Sequence, residues 1–204
     1  MMARPRAVNI LELLTPGAAI RPGVSDDSSL MERFRAGDGE AFTSIYRAHH
    51  TAVFRFAFHM TADSVIAGEI TQDAFVWLIH HASEFDPNRG ALPAFLKGVA
   101  RRLVQRGQRN ERRWLPFDMI EEIFAAGDAD ADFSAAVDAE TLRTAIALLP
   151  IRYREAIVLC DLESQSYEEA ARVLGCAVGT IRSRLHRGRV LLARKFQSKK
   201  GERV

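Results

Sequence analysis

The stretch Ser166–Arg189, "SYEEAARVLGCAVGTIRSRLHRGR", carries its own punctuation. Ser166 followed by Glu169 is an S-x-x-E capping box: the hydroxyl takes a free backbone N–H of the first turn, and the glutamate reaches back to the cap N–H. The short helix opened in this way sets Tyr167, Ala170, Ala171 and Leu174 where a neighbouring helix can pack. Gly175 then suits a left-handed C-cap, and a second helix is predicted from Val178. Helix, glycine-containing turn, helix: the spacing predicts a helix-turn-helix.

On a 100° wheel Ile181, Leu185, Gly188 and Leu192 fall within about 60° of one another and form a narrow stripe facing the core. Ser183, His186 and Arg187 fall opposite, with Arg182, Arg184 and Arg189 on the flanks. No acidic residue lies between Gly175 and Phe196, so the helix forgoes the i,i+4 ion pairs of an ordinary surface helix. Such crowding of like charge suits a helix lying against phosphates. A plain solvated face is the other reading of the same charges.

Working outward, the 204-residue chain suits one or two small domains. Its 48% apolar and 26% charged residues are those of a globular protein. The formal net charge of +2 hides strong segregation. Residues 88–116 carry 8 basic and 1 acidic side chains, 117–140 carry 8 acidic and no basic ones, and 141–204 carry 13 basic and 6 acidic ones. Basic blocks split by an acidic one point to electrostatic partners. Cys160 and Cys176 are too few for a disulfide framework and form no CxxC pair. Arg4 and Arg6 precede "AVNILELL" in the manner of a signal peptide, but Asn9 and Glu12 interrupt the apolar run and Pro16 ends it. No stretch reaches the roughly 18 apolar residues that span a bilayer. The chain reads as soluble and cytoplasmic, without membrane insertion.

Gly and Pro cluster at 16–23, so residues 1–27 read as a flexible leader, with a short amphipathic turn at Val8–Leu14. From Leu30 to about Arg113 apolar residues recur at three- and four-residue steps, among them Phe42, Ile45, Tyr46, Val53, Phe54 and Phe58. "FDPNRG" at 85–90 is the clear loop in this block. "AAGDADAD" at 125–132 reads as a linker, and a second helical block follows, with Pro150 at a helix start. The fold class expected is all-α: two small helical domains at 28–113 and 135–197, joined by an acidic linker at 114–134 and ended by a basic tail at 198–204. On the helix expected near 63–83, Glu69, Gln72, Asp73 and Val76 share one face at i, i+3, i+4 and i+7, and Ile66, Ile70, Ala74 and Trp77 share another. An acidic, amide-bearing face beside an apolar stripe suits docking on a basic partner helix.

Residues 149–192, "LPIRYREAIVLCDLESQSYEEAARVLGCAVGTIRSRLHRGRVLL", resemble region 4 of bacterial sigma factors of the extracytoplasmic-function group. That pattern has a Leu-Pro start, Arg-Glu, then S-Y-x-E-[IA]-A, then G-T-[VI]-[KR]-S-R-L-x-R. Residues 67–113, "AGEITQDAFVWLIHHASEFDPNRGALPAFLKGVARRLVQRGQRNERR", are similar to region 2 of the same group, with its A-x-[DE]-[LIV]-x-Q-[DE]-x-F segment and A-R-x-L ending. The two blocks stand in the right order.

The resemblance implies a dissociable, non-catalytic subunit of bacterial RNA polymerase that directs it to promoters and helps open the DNA. It names the clamp coiled coil of the largest polymerase subunits, beta-prime with beta, as the partner of Glu69, Gln72, Asp73 and Val76. It assigns the melted −10 strand to the loop and helix carrying Asn88, Arg89, Arg101, Arg102, Arg106 and Arg109. It assigns the −35 element to Arg172, Thr180, Arg182, Ser183, His186 and Arg187. The sequence departs where group members often carry Asn at Arg102 and Trp at Phe95. An anti-sigma protein stays open as a further partner; a stand-alone DNA-binding regulator is the runner-up function, and a module that sequesters an anti-sigma partner without working on DNA is a third. The acidic linker reads either as a solvated tether or as a phosphate mimic threading polymerase channels. His49-His50 and His80-His81 lack HExxH or Cys-rich spacing. With no Walker loop, dinucleotide fingerprint or nucleophile elbow, the expectation is no metal, no cofactor and no catalytic residue.

Overall fold

The computed structural model describes residues 24–110 and 139–201. Among them every regular element is helical, and no helix is long and apolar enough to cross a membrane. The chain divides into two compact units.

The first unit comprises α1 (Val24–Arg35), α2 (Gly39–Thr61), α3 (Ser64–His80), a 3-10 turn (Ala82–Glu84) and α4 (Leu92–Asn110). Aspartates set the starts of α2 and α3. Asp38 Oδ1 accepts the N–H groups of Glu40 and Ala41, and Arg33 grips Oδ2 at 2.6 Å and holds this carboxyl below the usual carboxylate range. Asp63 Oδ1 takes those of Val65 and Ile66 at 2.8 and 3.1 Å. Caps of this kind stabilise a helix by about 0.5–2 kcal/mol each. Between α2 and α3 the chain turns through Ala62, which adopts a left-handed φ of 55° while its N–H still reaches Phe58 O at 2.8 Å.

Helices α2, α3 and α4 pack against one another, and α1 covers α2. Ile45, Val53, Phe56 and Met60 of α2 meet Ala67, Ala74 and Leu78 of α3 and Leu92, Leu96 and Ala100 of α4 in the core. Each fully buried large apolar side chain contributes roughly 1.5–3 kcal/mol. Helix α1 begins at Val24, inside the 1–27 stretch read as a leader, and residues 1–23 lie outside the described residues. Within α1, Asp27 is buried and accepts a hydrogen bond from His49 Nε2 at 2.7 Å. Arg35 donates to Ala82 O at 2.8 Å and to Phe85 O, which closes α1 onto the 3-10 turn. The helix expected near 63–83 ends at His80.

The second unit comprises α5 (Ala139–Ala147), α6 (Ile151–Ala156), a π-helical continuation (Ile157–Leu162), α7 (Tyr167–Leu174) and α8 (Val178–Gly201). Pro150 occupies the N-cap of α6. The capping box forms as read: Ser166 Oγ accepts the Glu169 N–H at 3.2 Å, and Glu169 Oε2 accepts the Ser166 N–H at 2.9 Å. At the other end of α7, Gly175 adopts φ 63°. The Cys176 N–H then bonds Ala171 O and the Gly175 N–H bonds Arg172 O, the paired closure of a Schellman motif.

Helix α8 packs on α6, its π-helical continuation and α5. Gly188 permits the approach: a Cβ there would lie 3.0 Å from Ile157 Cγ1 and 3.4 Å from Tyr153 Cβ. Arg154 is buried beside this seam and donates to Leu149 O at 2.9 Å. Burial lowers its pKa to about 10, partly opposed by Glu155, so it stays cationic at neutral pH. The linker at 114–134 and the amphipathic turn at Val8–Leu14 lie outside the described residues. The basic tail read at 198–204 begins as the last turn of α8, with 202–204 outside the description.

Candidate nucleic-acid interface

Helix α8 sorts its side chains as the wheel requires. Ile181, Leu185 and Leu192 are at most 2% exposed, and Gly188 is buried with them. Arg182, Ser183, His186 and Arg187 are exposed, Thr180 is half-buried, and Arg172 is exposed on α7. The Ser183 hydroxyl donates to Thr180 O at 3.0 Å, which leaves its oxygen as an acceptor. The Arg182 guanidinium lies over the Tyr167 ring, 5.9 Å from its centroid, so the first helix of the motif steadies a cation on the second.

Arg189, on a flank of the wheel, is held from within the protein. Its guanidinium forms a bidentate pair with Asp161 at 2.6 and 3.0 Å, and Asp161 is only 10% exposed. The hydrogen bond to Asp161 raises the arginine's pKa against the opposing effect of burial. Arg189 therefore fastens α8 to the end of the π-helical segment. Arg184 is half-buried and approaches Cys176 Sγ at 3.9 Å. Cys160 is half-buried, and burial together with Asp161 pushes its thiol up to about 11. It stays protonated and a poor nucleophile at neutral pH.

In the first unit the 85–90 segment is a loop, closed by an Arg89 N–H to Asp86 O bond at 3.0 Å. Asp86 Oδ1 accepts both the backbone N–H and the side-chain amide of Asn88, at 2.9 and 3.1 Å. Asn88 and Arg89 are exposed, as are Arg102 and Arg106 on α4, while Arg101 is half-buried. The side chain of Arg109 lies outside the described residues. Arg102 stands over the ring of Trp77, 5.5 Å from its centroid. Sequence reasoning placed Trp77 in an apolar stripe and missed this role, because nothing local pairs a residue of α3 with one of α4.

Glu69, Gln72, Asp73 and Val76 all lie exposed along α3. Of the apolar stripe beside them, Ile70 and Ala74 are buried and Trp77 is half-buried, but Ile66 is 40% exposed. Between α2 and α3 runs a groove of about 420 Å³, lined by Tyr46, Phe54, Phe75 and Ile79 together with Gln72 and Val76. The acidic edge thus borders an open apolar trough, which sequence reading did not foresee. It is open because Tyr46, Val76 and Ile79 remain 41–46% exposed.

The paired histidines have other partners. His49 bonds Asp27, His50 donates to Tyr46 O and stacks on its ring, and His81 donates to Trp77 O at 2.9 Å. Among the described residues no three His, Cys, Asp or Glu side chains converge as a metal site would require.

Comparison with known proteins bears on this arrangement. The family model for sigma-70 region 2 matches residues 45–114, and that for sigma-70 region 4 matches 139–192. The ECF RNA polymerase sigma factor SigE of Mycolicibacterium smegmatis is 31% identical over 202 residues, covering 92% of this chain and 74% of that protein. The chain belongs to the sigma-70 family, as a sigma factor of the extracytoplasmic-function group.

It is a non-catalytic initiation subunit that brings core RNA polymerase to promoters and promotes DNA opening. SigM of Mycobacterium tuberculosis is 29% identical over 168 residues, with 82% and 83% of the two chains covered. In overall fold this sigma factor is similar to CnrH, solved with the cytosolic domain of CnrY. The TM-score is 0.61 at 23% identity, covering 85% of this chain and 98% of that one. The sigma factor RpoE of Bartonella quintana, solved with the anti-sigma factor NepR, gives a TM-score of 0.58 at 24% identity, with 76% and 96% covered.

Proposed function

We propose that three surfaces divide the work of initiation. The outward face of α8, with Arg182, Ser183, His186 and Arg187, reads the −35 element, flanked by Thr180 and by Arg172 of α7. Helix α4 and the 85–90 loop, through Asn88, Arg89, Arg101, Arg102, Arg106 and Arg109, contact the melted −10 strand. Glu69, Gln72, Asp73 and Val76 dock on core polymerase at the beta-prime clamp, with beta also contacted.

The observation that carries this division is the sorting of α8. A wholly apolar seam is seated on the protein, and the face opposite holds cations and hydroxyl acceptors with no carboxylate on the same helix. Such a helix suits a major groove, where Arg can bond guanine edges and phosphates. On α3 the acidic edge beside an apolar trough fits a partner helix that is basic along one side and apolar along the other. Because polymerase and promoter are its working partners, the chain acts in the cytoplasm. An anti-sigma protein is a further partner on this reading.

Run-off transcription with purified core polymerase tests the whole scheme. The expected outcome is promoter-dependent initiation from a subset of genomic fragments. No initiation on any fragment, with strong footprints in the absence of polymerase, would instead favour a stand-alone regulator. Glu69→Lys combined with Asp73→Lys should abolish co-purification with core polymerase while leaving the helical content intact. Retained co-purification refutes the docking face.

A further inference from the structure

Among the −10 candidates, Arg102 has its guanidinium over an aromatic ring, that of Trp77, 5.5 Å from the centroid. Its Nε also donates to Gly98 O, at 3.4 Å. Trp77 is itself fixed. His81 stacks on it, with centroids 4.3 Å apart and planes 9° from parallel, and donates to its backbone carbonyl at 2.9 Å. Phe95 of α4 meets the indole at 5.8 Å and is in turn met edge-on by Phe85 at 5.5 Å. An exposed arginine thus rests on a platform that α3, α4 and the start of the 85–90 loop build together.

A free arginine side chain loses rotamer freedom when it is fixed against a ligand. A guanidinium already held over an indole has lost part of that freedom before the ligand arrives, so more of the contact energy is realised as affinity. From this we infer that Trp77 is a positioning residue for promoter opening: it pre-orders the Arg102 guanidinium for an anionic or base-edge contact with the unpaired −10 strand. The inference rests on the assignment of α4 to that strand. Trp77 acts through Arg102, and its own ring is half-buried, packed against His81 and Phe95.

A double-mutant cycle separates this role from simple packing. Holoenzyme is assembled from the full chain and core polymerase. The probe is a fluorescein-labelled single-stranded oligonucleotide carrying the non-template strand of a promoter found by run-off transcription. Arg102→Ala should weaken probe binding by on the order of ten-fold, and Trp77→Leu by about three- to ten-fold, the range of a partly desolvated cation–π contact. Trp77→Phe, which keeps a ring under the cation, should stay close to the wild type. In the Arg102→Ala background, Trp77→Leu should cost nothing further. If Trp77→Leu weakens binding as much in that background as alone, the ring merely packs and the inference is overturned. The inference also fails if Trp77→Phe is as weak as Trp77→Leu while both melt like the wild type. If Arg102→Ala binds normally, the assignment of α4 to the −10 strand falls as well, so the two failures are distinguishable.

Discussion

On α8 the last arginine of the cationic run, Arg189, is tied to a largely buried carboxylate, whereas on α4 Arg102 rests on an indole. The first arrangement satisfies the cation from within the protein and fixes a helix. The second restrains the cation without neutralising it. A carboxylate partner competes with phosphate for the guanidinium, while an aromatic face leaves its N–H groups available. Arg182 over Tyr167 repeats the α4 solution on the second unit. Basic residues that look equivalent in sequence therefore divide into anchors and probes according to what lies beneath them.

Gly188→Leu should have the largest effect. It drives atoms into Ile157 and Tyr153, and overpacking of this kind costs about 1–3 kcal/mol, or more where the helix cannot shift. Thermal melts with unit-specific proteolysis should show the second unit destabilised and the first unchanged. A second unit that melts normally would mean that the seat of α8 does not set its outward face.

Arg187→Ala should cost roughly 1–3 kcal/mol of promoter binding and relax base choice at one −35 position, if the side chain reads a guanine edge. Equal losses on every −35 sequence, measured by competition binding of holoenzyme, would reassign it to a phosphate.

Arg189→Ala tests the anchor. Leaving Asp161 without its partner should lower the stability of the second unit by about 1–2 kcal/mol. The −35 base preference should be untouched, as denaturant melts and the same competition assay would report. A changed base preference with normal stability would make Arg189 a probe after all. Smallest is Tyr167→Leu, which should weaken −35 binding by at most about 1 kcal/mol through a less ordered Arg182. A loss equal to that of Arg182→Ala would show the ring to be indispensable.

Much of this was readable in advance where the signal is local. The Ser166–Glu169 box and Gly175 formed as their spacing demanded, since a cap needs only residues within one turn of the helix end. The Ile181/Leu185/Gly188/Leu192 seam is buried because helical period alone fixes which residues share a face. The break at Ala62 had no glycine to announce it, though Asp63 supplies the cap that restarts the chain. The buried Asp27–His49 pair was hidden because the leader reading ran past the start of α1 and took in Asp27. The apolar trough between α2 and α3 was hidden because spacing along α3 does not tell which apolar side chains α2 leaves uncovered.

The sequence by itself determined the helices, the helix-turn-helix and the family, because caps, turns and apolar period are set by neighbours along the chain. Only the tertiary structure decided that Arg189 holds α8 in place while Arg187 is left facing outward, and that Arg102 stands on Trp77. Those outcomes depend on which segments meet across the core, where a partner from another helix supplies the charge or the ring that sequence spacing cannot specify.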